Sequence, residues 1–287
     1  MKRKTYKESV GRKCFIAFDY VFLIIVALLI MIPLMNILVT SLAEDKDVLQ
    51  NSFLLVPRSI TFEHYINILK SGYLGGFINS LKITILGIIV AMPLTVTMGY
   101  ALANDKMPAR SFWINFVLAT MILDGGIIPF YLLIKKIGLM DTHAAVFLPL
   151  ALSSYNLILV VNYMRSIPKS LSESARVDGA SELRILISII LPISVPILSA
   201  ITLFYLVDLW NNYFNVIMFI NKQSKYNIQV MLRSLVIEND AAATGQETVY
   251  DNFKMAVMVL GMLPILMVYP FIQKYFVKGI MLGAIKG

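Results

Sequence analysis

The sequence predicts an all-α, polytopic membrane protein with six transmembrane helices. Of its 287 residues, 58% are hydrophobic and only 15% are charged, whereas soluble domains carry about 25% charged residues. The mean hydropathy is +0.76. The apolar residues collect in runs of about 20, the length that crosses roughly 30 Å of hydrocarbon as a helix. The predicted spans cover residues 15–40, 81–103, 112–134, 144–163, 185–210 and 255–273.

The first span follows a basic N-terminal segment, residues 1–14, that holds six Lys and Arg. A secretory signal peptide also begins with basic residues, but its apolar region is only about 7–15 residues long. Here the apolar run continues through Val39. We therefore expect a retained span rather than a cleaved leader.

Positive residues predict the orientation of the spans, because they are enriched in cytoplasmic loops. The alternate segments on one side of the membrane carry 15 Lys and Arg in 57 residues, and those on the other side carry 9 in 93. The richer segments are 1–14, 104–111, 164–184 and 274–287, and the poorer ones are 41–80, 135–143 and 211–254. Both termini are therefore predicted to be cytoplasmic. The net charge of +8 then marks cytoplasmic segments rather than a nucleic-acid surface.

A polar stretch, ESARVDGASELRILISIILPIS at residues 173–194, interrupts this apolar chain. Ser170 and Glu173 have the spacing of a capping box at a helix start. Ala175 and Gly179 are four residues apart and share one helix face, where small side chains allow another surface to approach closely. From these residues alone, the stretch is either a connector helix at the membrane interface or a docking element for a partner.

The spacing within this stretch resembles the EAA motif of permease subunits in ABC importers, E-A-A-x3-G-x9-I-x-L-P. It reads Glu173-Ser174-Ala175, Gly179 and then Ile189-Ile190-Leu191-Pro192. Ser174 departs from the motif's second residue, although serine is also small. The resemblance implies a coupling helix over about 170–184 that docks on an ATP-hydrolysing subunit. The implied docking residues are Glu173, Ser174, Ala175, Gly179, Leu191 and Pro192.

The resemblance extends over nearly the whole chain and is closest to carbohydrate-import permeases of the MalG/LplC type. The stretches that carry it are DGGIIPFYLLIKKIGLMDT, SYNLILVVNYMRSIPKSLSESARVDGAS and QKYFVKGIMLGAIKG. It implies a bacterial cytoplasmic-membrane subunit that pairs with a second, homologous permease, two ATPases and an extracellular or periplasmic solute-binding protein, with oligosaccharides or complex glycan fragments as cargo. It also implies that the cytoplasmic tail, residues 274–287, reaches the ATPases through Gly283, Lys286 and Gly287.

Candidate substrate-path residues lie near the predicted external ends of two spans. Asp124, with two glycines after it, interrupts the third span. An aspartate at bilayer depth is costly and should face a cavity or a partner, but Asp124 could equally cap a short external helix. Asp208, Trp210, Asn211 and Tyr213 offer the aromatic faces, amides and acid that bind sugars. Aromatic residues also anchor spans at the interface, and we favour that interpretation for this group.

Two other classes of function are a proton-coupled secondary transporter and a membrane enzyme. A proton-coupled secondary transporter could use Asp124 and Asp208, but it leaves the polar stretch unexplained. A membrane enzyme would need clustered catalytic side chains, which the sequence does not show. The chain has no G-x-x-x-x-G-K-[ST] phosphate loop, so ATP and Mg²⁺ are expected in the partner ATPase and no cofactor in this chain. Its single cysteine, Cys14, excludes a multi-cysteine metal site, and we predict no metal.

Overall fold

A computed structural model of the chain describes residues 10–50, 53–57, 59–123, 125–242 and 251–284. Every regular element in these residues is helical, so the all-α membrane fold class is confirmed. Four helices are long and apolar enough to cross a membrane, and the number rises to six if each of two bent helix pairs is one span.

The helices follow one another along the chain with short connections. They are α1 (Val10–Leu42), α2 (Asp45–Gln50), α3 (Glu63–Lys70), α4 (Tyr73–Ala103), α5 (Arg110–Ile122), α6 (Ile127–Lys136), α7 (His143–Phe147), α8 (Ser154–Ser166), α9 (Lys169–Val177), α10 (Glu182–Ile185), α11 (Leu191–Trp210), α12 (Phe214–Phe219), α13 (Ile228–Ala242) and α14 (Asp251–Ala284). Short 3₁₀ helices at Leu148–Leu150 and Gln223–Lys225 and a π-helix at Leu186–Ile190 complete the set.

The chain divides into two compact units, and the smaller one comprises residues 1–68 and 238–260. Its core is a small cluster of Val39, Ala43 and Leu54. Ala43 also pairs with Ile60 in an isolated antiparallel bridge and accepts a 2.8 Å hydrogen bond from Asn252 Nδ2. The most apolar part of α1 remains exposed along its whole length.

The larger unit comprises residues 69–237 and 261–287, and its centre is the packing of α4 against α8 and α11. Two glycines of α4 allow this close approach. A Cβ at Gly87 would lie 2.6 Å from Leu209 Cδ1, and one at Gly99 would lie 2.6 Å from Val160 Cγ1. Small residues at such contacts are typical of membrane helix packing, which lacks a hydrophobic driving force in lipid.

The third predicted span, 112–134, is not one helix. α5 and α6 meet at an angle of 113°, and Gly126 between them has φ of +82° and ψ of 161°. A side chain at that residue would be strained, so glycine is required for the bend. The 13 residues of α5 and 10 of α6 are each shorter than a membrane crossing. The fourth span is also bent, by 42°, between α7 and α8.

The fifth span is a continuous helical run of 29 residues, Glu182–Trp210. Its first turns, α10, lead into the π-helix, and Pro192 follows in the first turn of α11. A proline nitrogen cannot donate, and the ring crowds the carbonyl four residues earlier. The wider π turn includes Ser188, whose carbonyl the Pro192 ring would crowd in a regular helix.

Candidate functional site

The polar stretch forms a short exposed helix, α9, that ends in a glycine turn. Gly179 has φ of +80°, its amide donates to the Arg176 carbonyl at 3.0 Å, and the Ala180 amide donates to the Ala175 carbonyl at 2.9 Å. These two bonds are a Schellman motif, in which a residue in the left-handed region closes the helix. The coupling helix predicted over 170–184 is therefore two helices, because the Gly179 turn separates α9 from α10.

The start of α9 differs from the predicted capping box. The helix begins at Lys169, with Pro168 as its N-cap and no side-chain cap. Ser170 therefore lies in the first turn, where its carbonyl accepts a 2.6 Å hydrogen bond from Ser174 Oγ. Proline fixes the backbone angle before the first turn, and the helix starts at Lys169, two residues before the start that a Ser170 N-cap would give.

Ala175 and Gly179 do not share one exposed helix face, contrary to what their spacing suggested. Ala175 is half-buried against the chain's own apolar cluster around Ile185 and Ile190, whereas nothing lies within 4 Å of a Cβ at Gly179. Ala175 therefore brings α9 close to its own bundle. The open side instead presents apolar side chains, of which Val177 is 88% exposed and Leu183, on α10, 65%. Neither residue stands out in the sequence, because helical spacing alone does not show which apolar side chains of a polar helix stay exposed.

Three polar side chains join α9 to two of the long helices. Arg176 Nε donates to Glu182 Oε1 at 2.6 Å and its Nη2 to Oε2 at 3.2 Å. The Tyr100 hydroxyl donates to Glu182 Oε2 at 2.6 Å. Tyr100 lies near the end of α4 and Glu182 at the start of α10. We call these residues the Tyr100 triad.

The first residue of α9 is also tied to the end of α4. The Lys169 ammonium donates to the Asp105 carboxylate, which lies 3.8 Å from Arg110 Nη1. The hydrogen bond from Lys169 holds the pKa of the Asp105 carboxyl below its usual range. A cavity of about 430 Å³ opens between α9 and this segment, and Glu173 and Arg165 also line it. Polar contacts around a cavity therefore hold much of α9 in place.

At the other end of the 29-residue run, the structure corrects the interpretations of Trp210. Its side chain is 1% exposed, its Nε1 donates to the Gly261 carbonyl at 2.8 Å, and Phe77 packs edge-on against its ring, with centroids 5.6 Å apart. A buried indole presents no face to lipid headgroups or to a sugar within this chain. Trp210 is therefore a packing residue.

The neighbours of Trp210 remain accessible. Asp208 and Asn211 are exposed, and Tyr213 is half-buried. The structure adds two residues of α13 that the sequence did not single out: Arg233 lies over the Tyr213 ring, with Cζ 4.4 Å from the centroid, and Gln229 Nε2 donates to Asn211 Oδ1 at 3.4 Å. An aromatic ring, a guanidinium and two amides are thus grouped beside the end of α11.

Several predicted site residues cannot be placed beside these groups. Asp124, Lys286 and Gly287 lie outside the described residues, and Gly283 lies in the last turns of α14. Leu191 and Pro192 begin α11 directly after the π-helix. The two members of the motif's L-P pair therefore belong to the membrane helix rather than to the exposed surface of α9.

The chain is similar to known transport proteins over most of its length. Residues 9–282 match the family described as "Binding-protein-dependent transport system inner membrane component". The chain belongs to this family. It is therefore an inner-membrane permease component of a binding-protein-dependent transport system, as the sequence resemblance predicted.

Individual relatives agree with this assignment over most of their length. Protein LplC of Bacillus subtilis (strain 168) is 37% identical over 263 residues, which is 89% of each chain. The polygalacturonan/rhamnogalacturonan transport system permease protein YtcP of the same organism is 36% identical, covering 93% of this permease and 96% of YtcP. A crystal structure of a bacterial ABC transporter involved in the import of the acidic polysaccharide alginate superposes with a TM-score of 0.86 at 29% identity, covering 95% of this permease and 100% of that chain.

Proposed function

We propose that this permease is one half of the membrane pathway of an ATP-driven carbohydrate importer. The other half is a second, homologous permease, two ATPase subunits supply the energy, and an external solute-binding protein delivers the sugar. Glu173, Ser174 and Gly179 contribute to the docking surface for one ATPase, and ATP and Mg²⁺ are bound by that subunit. In this arrangement both termini are cytoplasmic, and Gly283, Lys286 and Gly287 of the tail approach the ATPases.

The observation that carries this proposal is the exposed apolar surface beside α9. Val177 and Leu183 are among the exposed apolar side chains, and they flank a tight turn at Gly179, whose φ is +80°. Two exposed apolar side chains on either side of such a turn gain free energy when a partner removes them from water. A protein groove covers such a pair, and an ATPase is the partner that an importer permease must contact on this face.

The proposed cargo is an oligosaccharide with acidic sugar residues. YtcP is named for polygalacturonan and rhamnogalacturonan transport, and the alginate importer carries an acidic polysaccharide. Arg233, held over Tyr213 at 4.4 Å, supplies a cation for a sugar carboxylate. Tyr213 and Asn211 supply a ring face and an amide for the sugar ring and its hydroxyls, and Asp208 lies in the last turn of α11. Asp124 remains a candidate path residue.

The experiment compares transport by the purified assembly with transport by the permease alone. A tagged chain purified from its own bacterium is expected to bring a P-loop ATPase and a second permease, identified by mass spectrometry. In proteoliposomes with the binding protein, we expect ATP-dependent uptake of oligogalacturonate that exceeds uptake of a neutral maltooligosaccharide of equal length. Uptake by the isolated chain, driven by a proton gradient without ATP, would refute the proposal and favour a secondary transporter.

A further inference from the structure

The Tyr100 triad connects three elements that an importer must move together. Tyr100 belongs to α4, Arg176 to α9 and Glu182 to the start of the fifth span. The Glu182 carboxylate is the common acceptor, because Tyr100 and the Arg176 Nε each donate to it at 2.6 Å. Hydrogen bonds to an ionised group are short and directional. A displacement of Arg176 therefore changes the hydrogen bonds of Glu182, which also holds the Tyr100 hydroxyl.

Apolar packing alone does not fix α9 on the bundle. None of its nine residues, all of them described, is fully buried. Ala175 supplies its half-buried apolar contact, and the cavity of about 430 Å³ lies beside the helix. An alanine side chain offers a small contact area. The polar contacts of Lys169 and Arg176 therefore give α9 directional connections to the long helices that its small apolar contact does not supply.

The triad also lies directly before a segment where the fifth span is suited to bend. The π-helix at Leu186–Ile190 begins four residues after Glu182, and Pro192 follows it. Single π turns inside helices are frequent at functional sites, and proline removes one helical hydrogen bond. A force applied at Glu182 therefore acts on α10, the short segment of the fifth span that precedes the π-helix.

We propose that Arg176, Glu182 and Tyr100 are positioning residues that link the displacement of α9 to movement of α4 and of the fifth span. This inference rests on the proposed function, because it takes α9 as the contact with the ATPase. The triad does not bind the sugar or ATP. Its role is to make α4 and the fifth span move together with α9, so that nucleotide hydrolysis results in transport.

The test is the number of sugar molecules transported per ATP hydrolysed by the reconstituted complex. Glu182→Gln keeps the size of the side chain but removes its charge, and Tyr100→Phe removes only the hydroxyl. We expect each to lower the ratio about tenfold, while copurification of the ATPase and its basal hydrolysis remain at the wild-type level. The triad is water-accessible, and exposed ion pairs add little to stability, so both variants should assemble.

Two matched controls separate the triad from general contacts between helices. Tyr163→Phe also removes a hydroxyl that binds the fifth span, at the Ile193 carbonyl 3.0 Å away, but that hydrogen bond does not involve α9. Arg184→Gln removes a cation from α10 that is not a member of the triad. Both controls should leave the ratio of transport to hydrolysis within about twofold of wild type.

Coupling between the residues gives a second measurement that a purely structural role would not reproduce. Substitutions in one interacting network are non-additive, so Arg176→Gln with Glu182→Gln should lower the ratio no further than either change alone. Exchanging the charges, Arg176→Glu with Glu182→Arg, should restore part of it. An unchanged ratio in Glu182→Gln, additive losses, or loss of the ATPase from that variant would overturn the linkage. Wild-type protein without ATP-driven uptake would instead refute the proposed function itself.

Discussion

The two ends of the helical run Glu182–Trp210 are held by different kinds of contact. At the α9 end, the contacts are ion pairs between exposed side chains, such as Arg176 with Glu182, which are 36% and 56% exposed. At the Trp210 end and in the segment after it, they include hydrogen bonds from a buried amide to the backbone: Asn79 donates to the Ser224 and Tyr226 carbonyls at 2.9 and 3.0 Å.

The two kinds of contact differ in how easily they can break and re-form. Exposed ion pairs are screened by salt and can exchange partners for water at little cost. Buried backbone groups cannot, because each one left without a partner is strongly unfavourable. The segment after Trp210 is therefore fixed on α4, whereas α9 is attached in a way that permits movement.

The largest effect is expected from Asn227→Ala at the Trp210 end. Asn227 is fully buried; it donates to the Asn212 carbonyl at 2.7 Å and accepts from the Val230 amide at 3.1 Å. Removing the amide leaves the buried Val230 amide and the part-buried Asn212 carbonyl without this partner, which costs about 2–3 kcal/mol of unfolding free energy. Thermal denaturation of the purified complex measures the loss. Asn221→Ala, an exposed residue of the same segment, is the control and should change little; equal losses would show that burial does not distinguish them.

A smaller effect is expected from Gly179→Ala at the α9 end. An L-residue at φ of +80° costs about 1–2 kcal/mol, and this strain should loosen the end of α9 and weaken binding of the ATPase. Asparagine tolerates this backbone region better than alanine. We therefore expect copurification of the ATPase to fall in the order Gly, Asn, Ala.

The control for this series is Gly75→Ala, a helical position where nothing lies within 4 Å of a Cβ. It should leave copurification unchanged, because alanine is favoured over glycine inside a helix. If Gly179→Ala bound the ATPase as well as wild type did, the turn would not be part of the docking surface.

The smallest effects concern two aspartates, one at each end. Hydrogen bonds from Lys169 to Asp105 and from Lys225 to Asp141 lower the pKa of each carboxyl. A lowered folded-state pKa stabilises the protein above the unfolded pKa, and the benefit is lost as the pH falls through the folded value. Stability from these groups should therefore be constant between pH 5 and 8 and decline below about pH 4.

Substitution of the two aspartates distinguishes the ends. Asp141 also accepts from the backbone amides of Asn221 and Lys222, at 3.2 and 3.1 Å, whereas Asp105 is held by side chains. Asp141→Asn should therefore lower the melting temperature more than Asp105→Asn does, and 1 M salt should abolish only the Asp105 effect. The reverse order would contradict the contrast between the two ends.

The sequence was most informative where the physical signal is local. Long apolar runs predicted the membrane helices, and the polar stretch predicted a helix between the fourth and fifth spans, which the structure contains as α9. The break in the third span was visible from Gly125 and Gly126, but its angle of 113° was not. In the structure α6 packs through Ile134 against Phe219, a contact between residues far apart in the chain that no local pattern shows.

The sequence was least informative where contacts join distant segments. Tyr100 and Glu182 are 82 residues apart, and no local pattern shows that they meet. Helical spacing placed Ala175 beside Gly179 but could not show which side faces the chain's own core. Trp210 has the composition of an interfacial anchor, yet Phe77 and the Gly261 carbonyl enclose it. Such errors follow from reading one helix without its neighbours.

The π-helix at Leu186–Ile190 determines the direction in which the side chains of α10, Glu182 among them, point about the axis of the fifth span. A π turn accommodates one residue more than a regular turn, and each residue corresponds to about 100° of rotation about a helix axis. Shortening that turn by one residue would swing Glu182 roughly a quarter-circle away from Tyr100, although every side chain of the triad would still be present. Alignment of the triad is thus encoded by chain length as much as by residue identity.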